Sequence, residues 1–521
     1  ETRNAFEGVF NWLKNWALSR TYGLGTKIPW DEKYLVESLS DSTLYQTFYT
    51  INHLLHSDFY GKKVGPLGIK AEDLTDETFD YIFCRGDSLE NINIPIEKLN
   101  LLRREFEYFY PMDQSISGKD LIPNHLTFYI YCHVALLKKT FWPAGIRSNG
   151  HLMLNNAKMS KSTGNFRTLE QLVEKFGSDA SRIALADAGD TVEDANFDES
   201  NANAAILRLF NLKEWFEEMV KSQDELRTGP YNFFDKAFDN EMNQLIEETY
   251  KNYDITYYKA ALKTGLFDYQ YSRDFYRELS LSSGAGLHKS LVFKYIETQS
   301  LLLYPIAPHF TEYVYKELLG KKTSINNAKW PVPEAAVSNE LAAALTYTRN
   351  LQRIIRESEG MALKKKKGGK SDVDKDQDCL LTIYVCNSFP EWQQKYVDIA
   401  KKLYEEGKLD DMKIVKEKID GKDMKLSMPF INDLKKQLGV EKPEEVFNRE
   451  LLFDELDVVK QAIESIKKAP ASISVSKVQI ISFSNGSTTG KDIVSEEEIS
   501  IPQKVKSIEN AVPGQPAILI K

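Results

Sequence analysis

Residues 155–165 read NNAKMSKSTGN, with Lys158 and Lys161 set three apart around Met159 and Ser160. Two compact cations, the hydroxyls of Ser160, Ser162 and Thr163, and a bend allowed by Gly164 suit a polyphosphate whose charge shifts as a bond breaks. Two lysines alone read better as an exposed lysine-rich loop. The P-loop pattern G-x-x-x-x-G-K-[ST] is absent from the chain. The flanks place the loop in an α/β passage. QSISGKDLIPNHL (114–126) reads as a strand that ends at Gly118 and opens a helix through LTFYIYCHVALL (126–137). IRSNGHLML (146–154) offers an Asn149-Gly150 hairpin turn between two short strands. FGSDASRIALADAG (176–189) then opens a further helix, with Ser178 and Asp179 as cap candidates.

Working outward, residues 1–18 carry apolar residues at helical spacing (Phe6, Val9, Phe10, Leu13, Trp16, Ala17), and SRTYGLGTKIPW (19–30) breaks the pattern as a loop or short strand. Helical spacing resumes over Asp31–Leu55. Residues 58–98 read as an irregular surface insertion, whose Arg85-Gly86-Asp87 is taken as a loop coincidence. The expected domains are 1–200, α/β; 201–360, a helical bundle; 361–379, a charged linker around KKKKGGKSDVDKDQD (364–378); and 380–521, a small α+β domain. In the last, LLTIYVC (380–386) reads as a strand, EWQQKYVDIAKKLYEEG (391–407) as a helix, and VQIISFSNGSTTGKDI (478–493) as a strand entering an Asn-Gly turn.

A chain of 521 residues exceeds one core, in keeping with about three domains. The net charge of -9 and pI near 5.6 argue against a nucleic-acid coat protein, though a local basic face remains compatible with RNA. Cys84, Cys132, Cys379 and Cys386 lack paired spacing and read as free thiols in a reducing compartment. His53 and His56 have no third ligand, so no protein-bound metal is expected. No apolar stretch reaches 18 residues, so no membrane partner is expected and a cytosolic location is. A start at Glu1, directly in an amphipathic pattern, reads as a piece of something longer.

Lys158-Met159-Ser160-Lys161-Ser162 resembles the KMSKS signature of class I aminoacyl-tRNA synthetases, which follows a strand of the nucleotide-binding fold. Ser117-Gly118-Lys119-Asp120-Leu121-Ile122-Pro123-Asn124-His125 resembles that family's strand-to-helix turn over adenosine. Ser19-Arg20-Thr21-Tyr22-Gly23, ending Ile28-Pro29-Trp30, resembles the stretch after the editing insertion in the subclass for aliphatic amino acids. Asp41-Ser42-Thr43 resembles its D-S-S, and Ala307-Pro308-His309-Phe310 with Glu312 resembles a helix of its bundle. The wording is most similar to leucyl-tRNA synthetases of the eukaryotic and archaeal cytosolic type. The likeness is continuous over 1–360 and weaker beyond, where AVPGQPAI (511–518) is familiar.

The resemblance implies the second half of a Rossmann-type catalytic domain, then an anticodon-binding-like bundle and a tRNA-contacting C-terminal domain. It implies leucine activation by ATP, with Mg2+ accompanying the ATP as substrate, and transfer to tRNA(Leu). Lys161, Lys158 and Ser160 would be catalytic. Lys161, Lys158, Met159, Gly118, Asp120 and His125 would bind ATP. The family's H-x-G-H signature and editing domain are absent from this sequence. The expectation is therefore the C-terminal half of the enzyme, inactive alone, with the missing N-terminal half as a partner and an apolar sheet edge exposed. Isoleucyl- or valyl-tRNA synthetase is the alternative in the same class, and a non-catalytic tRNA-binding or regulatory fragment the alternative outside it.

Overall fold

After the helix Thr2–Phe10, the glycine- and proline-rich stretch folds into a small antiparallel sheet of β1 (Ser19–Arg20), β2 (Lys27–Ile28) and β3 (Asp31–Val36), in the order β1-β3-β2. Helical spacing predicts otherwise for Asp31–Val36. Pairing decides it: Ser19 lies opposite Val36 and Arg20 opposite Leu35, and Gly25 passes so close that a Cβ there would sit 2.4 Å from the Val36 carbonyl. Helix returns only as short turns, Ser38–Ser42, Tyr45–Tyr49 and Asn52–Leu55. The structure is a computed structural model that describes residues 2–23, 25–364, 378–439 and 442–521, divided into units 1–206 and 207–521.

Segment 58–98 is more than a surface loop. Its Ile69, Ile82 and Ile94 join Ile51, Leu55, Leu99 and Leu102 in a buried cluster. Each such side chain contributes about 1.5–3 kcal/mol on burial. Within it the helix Asp76–Ile82 starts at Thr75, whose side chain accepts from Thr78 N. Irregular apolar spacing hid this core from a periodicity reading.

β4 (Ser115–Gly118) and β5 (Ile146–Asn149) pair in parallel, Ser115 opposite Ile146 through Gly118 opposite Asn149. A 3-10 turn, Lys119–Leu121, and one wider π turn, Ile122–Leu126, then lead into the helix Thr127–Leu136. A second sheet holds β6 (Leu152–Leu154), β7 (Ala157–Lys158) and β8 (Ala195–Phe197), ordered β7-β6-β8, with β6 antiparallel to β7 and parallel to β8. The hairpin expected at Asn149-Gly150 does not form, because β5 and β6 belong to different sheets. The hairpin lies six residues on, where Asn155 and Asn156 both take positive φ (50° and 64°) between paired Leu154 and Ala157. Two left-handed residues match the twist of a two-residue turn, and asparagine tolerates that region.

Thr168 caps the helix Leu169–Phe176 reciprocally with Gln171. Neither Ser178 nor Asp179 caps the next helix, Ser178–Ala188; its N-cap is Gly177 at φ 76°. One residue joins the two helices, and only glycine takes that backbone turn without strain.

In the second unit, the helices Phe233–Asp254, Tyr269–Ser282 and Lys289–Leu303 pack around fully buried Tyr269 and Tyr295, stacked 4.9 Å apart, and the helix Asn339–Ala362 lies against the first of them. The C-terminal sheet orders β12 (Glu498–Ser500), β11 (Thr489–Asp492), β10 (Ser474–Phe483), β9 (Asp378–Cys386) and β13 (Ala517–Ile520). β9 runs parallel to β10, and the other pairs are antiparallel. The Asn485-Gly486 turn does close a hairpin here, with Gly486 at φ 81°. Glu359, near the end of the long helix, accepts from the backbone N of Ala471 (2.9 Å), Ser472 (2.6 Å) and Ile473 (3.1 Å), tying that helix to the approach of β10. Residues 365–377 of the expected linker lie outside the described residues. None of the four cysteines is in a disulfide, and no helix among the described residues is long and apolar enough to cross a membrane.

Candidate functional site

The β6–β7 hairpin carries the lysine loop. Met159 turns inward against the cluster of Leu154, Phe176, Ala184, Phe197 and Ala202, so the residue between the two lysines anchors the loop. Ser160 N donates to Asn165 O (3.1 Å) and Asn165 Nδ2 to Lys158 O (3.2 Å), which close the loop's base. Ser160 and Ser162 share a hydrogen bond of 2.7 Å, and the Thr163 hydroxyl donates to Ser160 O at 3.2 Å. Gly164 takes φ 70° at the bend with open space around it. Lys158 and Lys161 are exposed and have no ion-pair partner among the described residues. Nearby Arg167 and Lys175 are different: both bind Glu199 (3.1 Å each), which holds that carboxyl below its usual range, Lys175 contributing most. The loop thus presents two uncompensated cations.

The strand ends of β4 and β5 build the other part. Gly118 closes β4, and a Cβ there would lie 2.5 Å from Asp120 Oδ1. The Asp120 carboxylate, mostly exposed, is 3.8 Å from His151 Nε2. His151 in turn donates its backbone N to Asp194 Oδ1 (3.0 Å), with ring Nδ1 at 3.5 Å from the same oxygen. Lys119 Nζ donates to Asp194 Oδ1 (2.7 Å) and to Val192 O (3.2 Å). Lys119, then the His151 backbone, hold the Asp194 carboxyl below its ordinary range. Gly150 makes this possible, since a Cβ there would meet Glu193 O at 2.0 Å. His125 stands on the wide turn, half-buried, with Nδ1 3.2 Å from Ser42 Oγ and its backbone N donating to Asn124 Oδ1 at 2.6 Å. Burial lowers its pKa, so the imidazole is neutral near pH 7.

Among the residues expected from sequence, Gly118 and Asp120 therefore share one turn, His125 sits on the next, and Lys158, Met159, Ser160 and Lys161 share one loop. Lys119 and Ser42 lie in stretches quoted above but were given no role of their own, and His151 and Asp194 were missed. A histidine just after a glycine at a strand's end was the available signal for His151. Nothing local marks Asp194. Among the described residues no group of three or more His, Cys, Asp or Glu could hold a metal ion.

The chain thus carries a cationic loop on a short hairpin and a glycine turn at the carboxyl end of a parallel strand, the end at which open α/β sheets bind ligands. Residues 98–211 match the family described as "tRNA synthetases class I (M)", and residues 235–374 the one described as "Anticodon-binding domain of tRNA ligase". In these two stretches the chain is similar to the class I aminoacyl-tRNA synthetases. Within that class it is similar to the cytoplasmic leucine–tRNA ligases and corresponds to their C-terminal half. It is 62% identical over 522 residues to that of Saccharomyces cerevisiae, covering 100% of this chain and 47% of the relative. The Neurospora crassa protein is 46% identical over 531 residues, covering 99% and 46%. The putative Schizosaccharomyces pombe ligase is 45% identical over 543 residues, covering 100% and 48%. The chain spans about half the length of the curated relatives it matches.

Proposed function

We propose that this chain supplies the ATP-phosphate side of a cytoplasmic leucine–tRNA ligase and its tRNA-holding region. The leucine carboxylate attacks the α-phosphorus of ATP, the bond to the β-phosphate breaks, and pyrophosphate leaves with leucyl-adenylate formed. A tRNA(Leu) terminal hydroxyl then takes the leucyl group and AMP departs. Lys161 and Lys158 hold the β- and γ-phosphates as charge builds on the leaving group, and Ser160 shapes and donates from the loop. Mg2+ enters with the ATP. Gly118 lets the ribose approach, Asp120 accepts from its hydroxyls, and neutral His125 lines the adenosine side with Met159 anchoring the loop. Positioning and charge stabilisation suffice, with no covalent nucleophile on the protein.

The single observation behind this reading is the pair of uncompensated lysines on a loop pinned by Met159. Domain roles follow the same reading: 1–200 as the second half of the catalytic domain, 201–360 as the anticodon-binding-like bundle, and 380–521 as a tRNA-contacting domain using phosphate contacts. The N-terminal half of the ligase is the partner that completes the site.

Leucine-dependent exchange of pyrophosphate into ATP tests it. The chain alone is inactive, and adding the N-terminal half restores exchange. Lys161→Ala in the reassembled enzyme lowers exchange by about 10²–10³-fold while tRNA affinity stays within about twofold. Parallel loss of exchange and tRNA affinity would contradict the separation of roles.

A further inference from the structure

A hollow of about 1090 Å³ opens in the first unit between the short helices Tyr45–Tyr49 and Asn52–Leu55, the loop 56–64 and the turn Ala71–Asp73. Its floor is apolar: Leu55 and Ile69 belong to the buried cluster around Ile82 and Ile94, and Phe48 and Leu74 pack against that cluster. The loop is closed at its base. His56 and Val64 pair across it, Ser57 N donates to Lys63 O (3.0 Å), and the Ser57 hydroxyl donates to Val64 O (3.1 Å). Asp58 ties the interior: its O accepts from Gly61 N (3.2 Å) and from His56 Nδ1–H (3.0 Å), and its Oδ1 accepts from Lys63 N (2.7 Å). Gly61 makes the turn at φ 64°.

That scaffold holds Phe59 and Tyr60 outward, 94% and 78% exposed, with their rings nearly perpendicular at 5.5 Å. Tyr49, 60% exposed, lines the same hollow. Large apolar groups grouped in water and rimmed by polar residues mark interaction sites. The rim here is cationic. Lys62, Lys63 and Lys70 line the hollow, exposed and with no ion-pair partner among the described residues, and Lys62 Nζ lies 5.7 Å from the centre of the Tyr60 ring. Glu72 is the one carboxylate among the described lining residues. Counting Asp58 inside the loop as well, the cations lead by three to two.

Charge, flat rings and shape together select the ligand. Lysines without rings would serve a simple anion, and rings without lysines would serve an apolar knob of a protein. A lipid surface takes rings and lysines from a convex tip, whereas these line a hollow. A nucleic-acid strand with unpaired bases alternates phosphates with flat faces, the combination that stacking rings set among cations engage. Paired bases keep their faces in the stack, so a duplex offers phosphates alone. The volume lies just beyond the range of small-molecule sites, about 300–1,000 Å³, and suits more than one nucleotide. We propose that this hollow is a stacking platform for a single-stranded segment of RNA, with bases on Phe59, Tyr60 and Tyr49 and phosphates on Lys62, Lys63 and Lys70. That the strand belongs to the tRNA rests on the ligase reading above; the preference for unpaired nucleotides does not.

Fluorescence anisotropy of the chain with a labelled single-stranded RNA of about eight nucleotides tests it, beside the same sequence as a duplex and vesicles of anionic phospholipid. The single strand binds saturably at micromolar concentration, about tenfold or more tighter than the duplex. Phe59→Ala combined with Tyr60→Ala weakens it by about five- to hundredfold, while thermal denaturation is unchanged because both side chains stand in water. Lys62→Ala combined with Lys63→Ala flattens the slope of log affinity against log salt by about 0.7 for each lysine. In the reassembled ligase the ring variant keeps leucine-dependent pyrophosphate exchange and loses tRNA charging at limiting tRNA. Lack of exchange in the parent would count against the ligase reading and leave the oligonucleotide result to decide the platform. Absence of saturable binding, equal affinity for strand and duplex, tighter binding to the vesicles than to the strand, or affinity unchanged in the ring variant would overturn the proposal.

Discussion

Gly150→Ala separates a positional glycine from a merely permissive one. A Cβ at 2.0 Å from the Glu193 carbonyl must retreat about 1.4 Å to reach ordinary contact near 3.4 Å, and the atoms it meets are backbone, which cannot swing aside. Retreat moves residues 193–194 away from 150–151. The bonds at risk are Gly150 N to Thr191 O (3.0 Å), His151 N to Asp194 Oδ1 (3.0 Å), Ala195 N to His151 O (3.0 Å) and, through Asp194, Lys119 Nζ (2.7 Å). Losing two to four of these at about 1 kcal/mol each gives a destabilisation of about 2–4 kcal/mol. Gly118→Ala is the contrast: its φ of -70° suits any residue, and the Cβ meets only the Asp120 side chain, which can rotate. That variant keeps its stability within about 1 kcal/mol yet displaces Asp120. Urea unfolding, with hydrogen exchange at residues 146–154 reporting on the first unit, measures both. In the reassembled ligase both variants lose pyrophosphate exchange, but only Gly150→Ala loses protection. A Gly150→Ala chain as stable as its parent would refute the close approach and the route by which Asp194 reaches Lys119 and His151.

Glu359→Gln replaces a carboxylate that accepts three backbone N–H groups with an amide that accepts fewer and presents hydrogens to donors; thermal denaturation should show a loss of about 2–4 kcal/mol in the second unit. His133 is fully buried, its Nδ1–H donating to Tyr129 O (2.8 Å) and Nε2 accepting from Tyr110 OH (3.1 Å), and burial lowers its pKa as it does for His125. The unfolded chain therefore takes up protons first as pH falls below about 6.5, so stability is full above that pH and declines by up to about 1.4 kcal/mol per pH unit for each histidine until its folded pKa is reached. Denaturation midpoints from pH 7.5 to 5 should show this slope, reduced in His133→Gln, and a flat profile would mean the histidine is not held neutral.

Local chemistry was legible where the residues themselves set the answer. Lys158 to Lys161 announced an exposed cationic loop because charge and spacing lie within one short string. Gly118 announced a strand-to-helix turn, and the long amphipathic helices of 201–360 announced themselves by period. Asp31–Val36 misled because six residues sample too little of a helical period to outweigh sheet partners on both sides. The Asn-Gly rule found the right turn at Asn485-Gly486 and the wrong one at Asn149-Gly150, since a turn dipeptide says that the chain can bend but not what the flanking strands pair with.

What the sequence determined by itself was the cationic loop, the glycine turn and the alternation of helix and strand, all products of backbone preference and spacing within about ten residues. Only the tertiary structure decided that β5 pairs with β4 rather than β6, that Gly150 serves Glu193 some forty residues away, and that Lys119, His151 and Asp194 join Asp120 in one network. Parallel pairing and close backbone approach are contacts between distant segments, and no local periodicity encodes the partner.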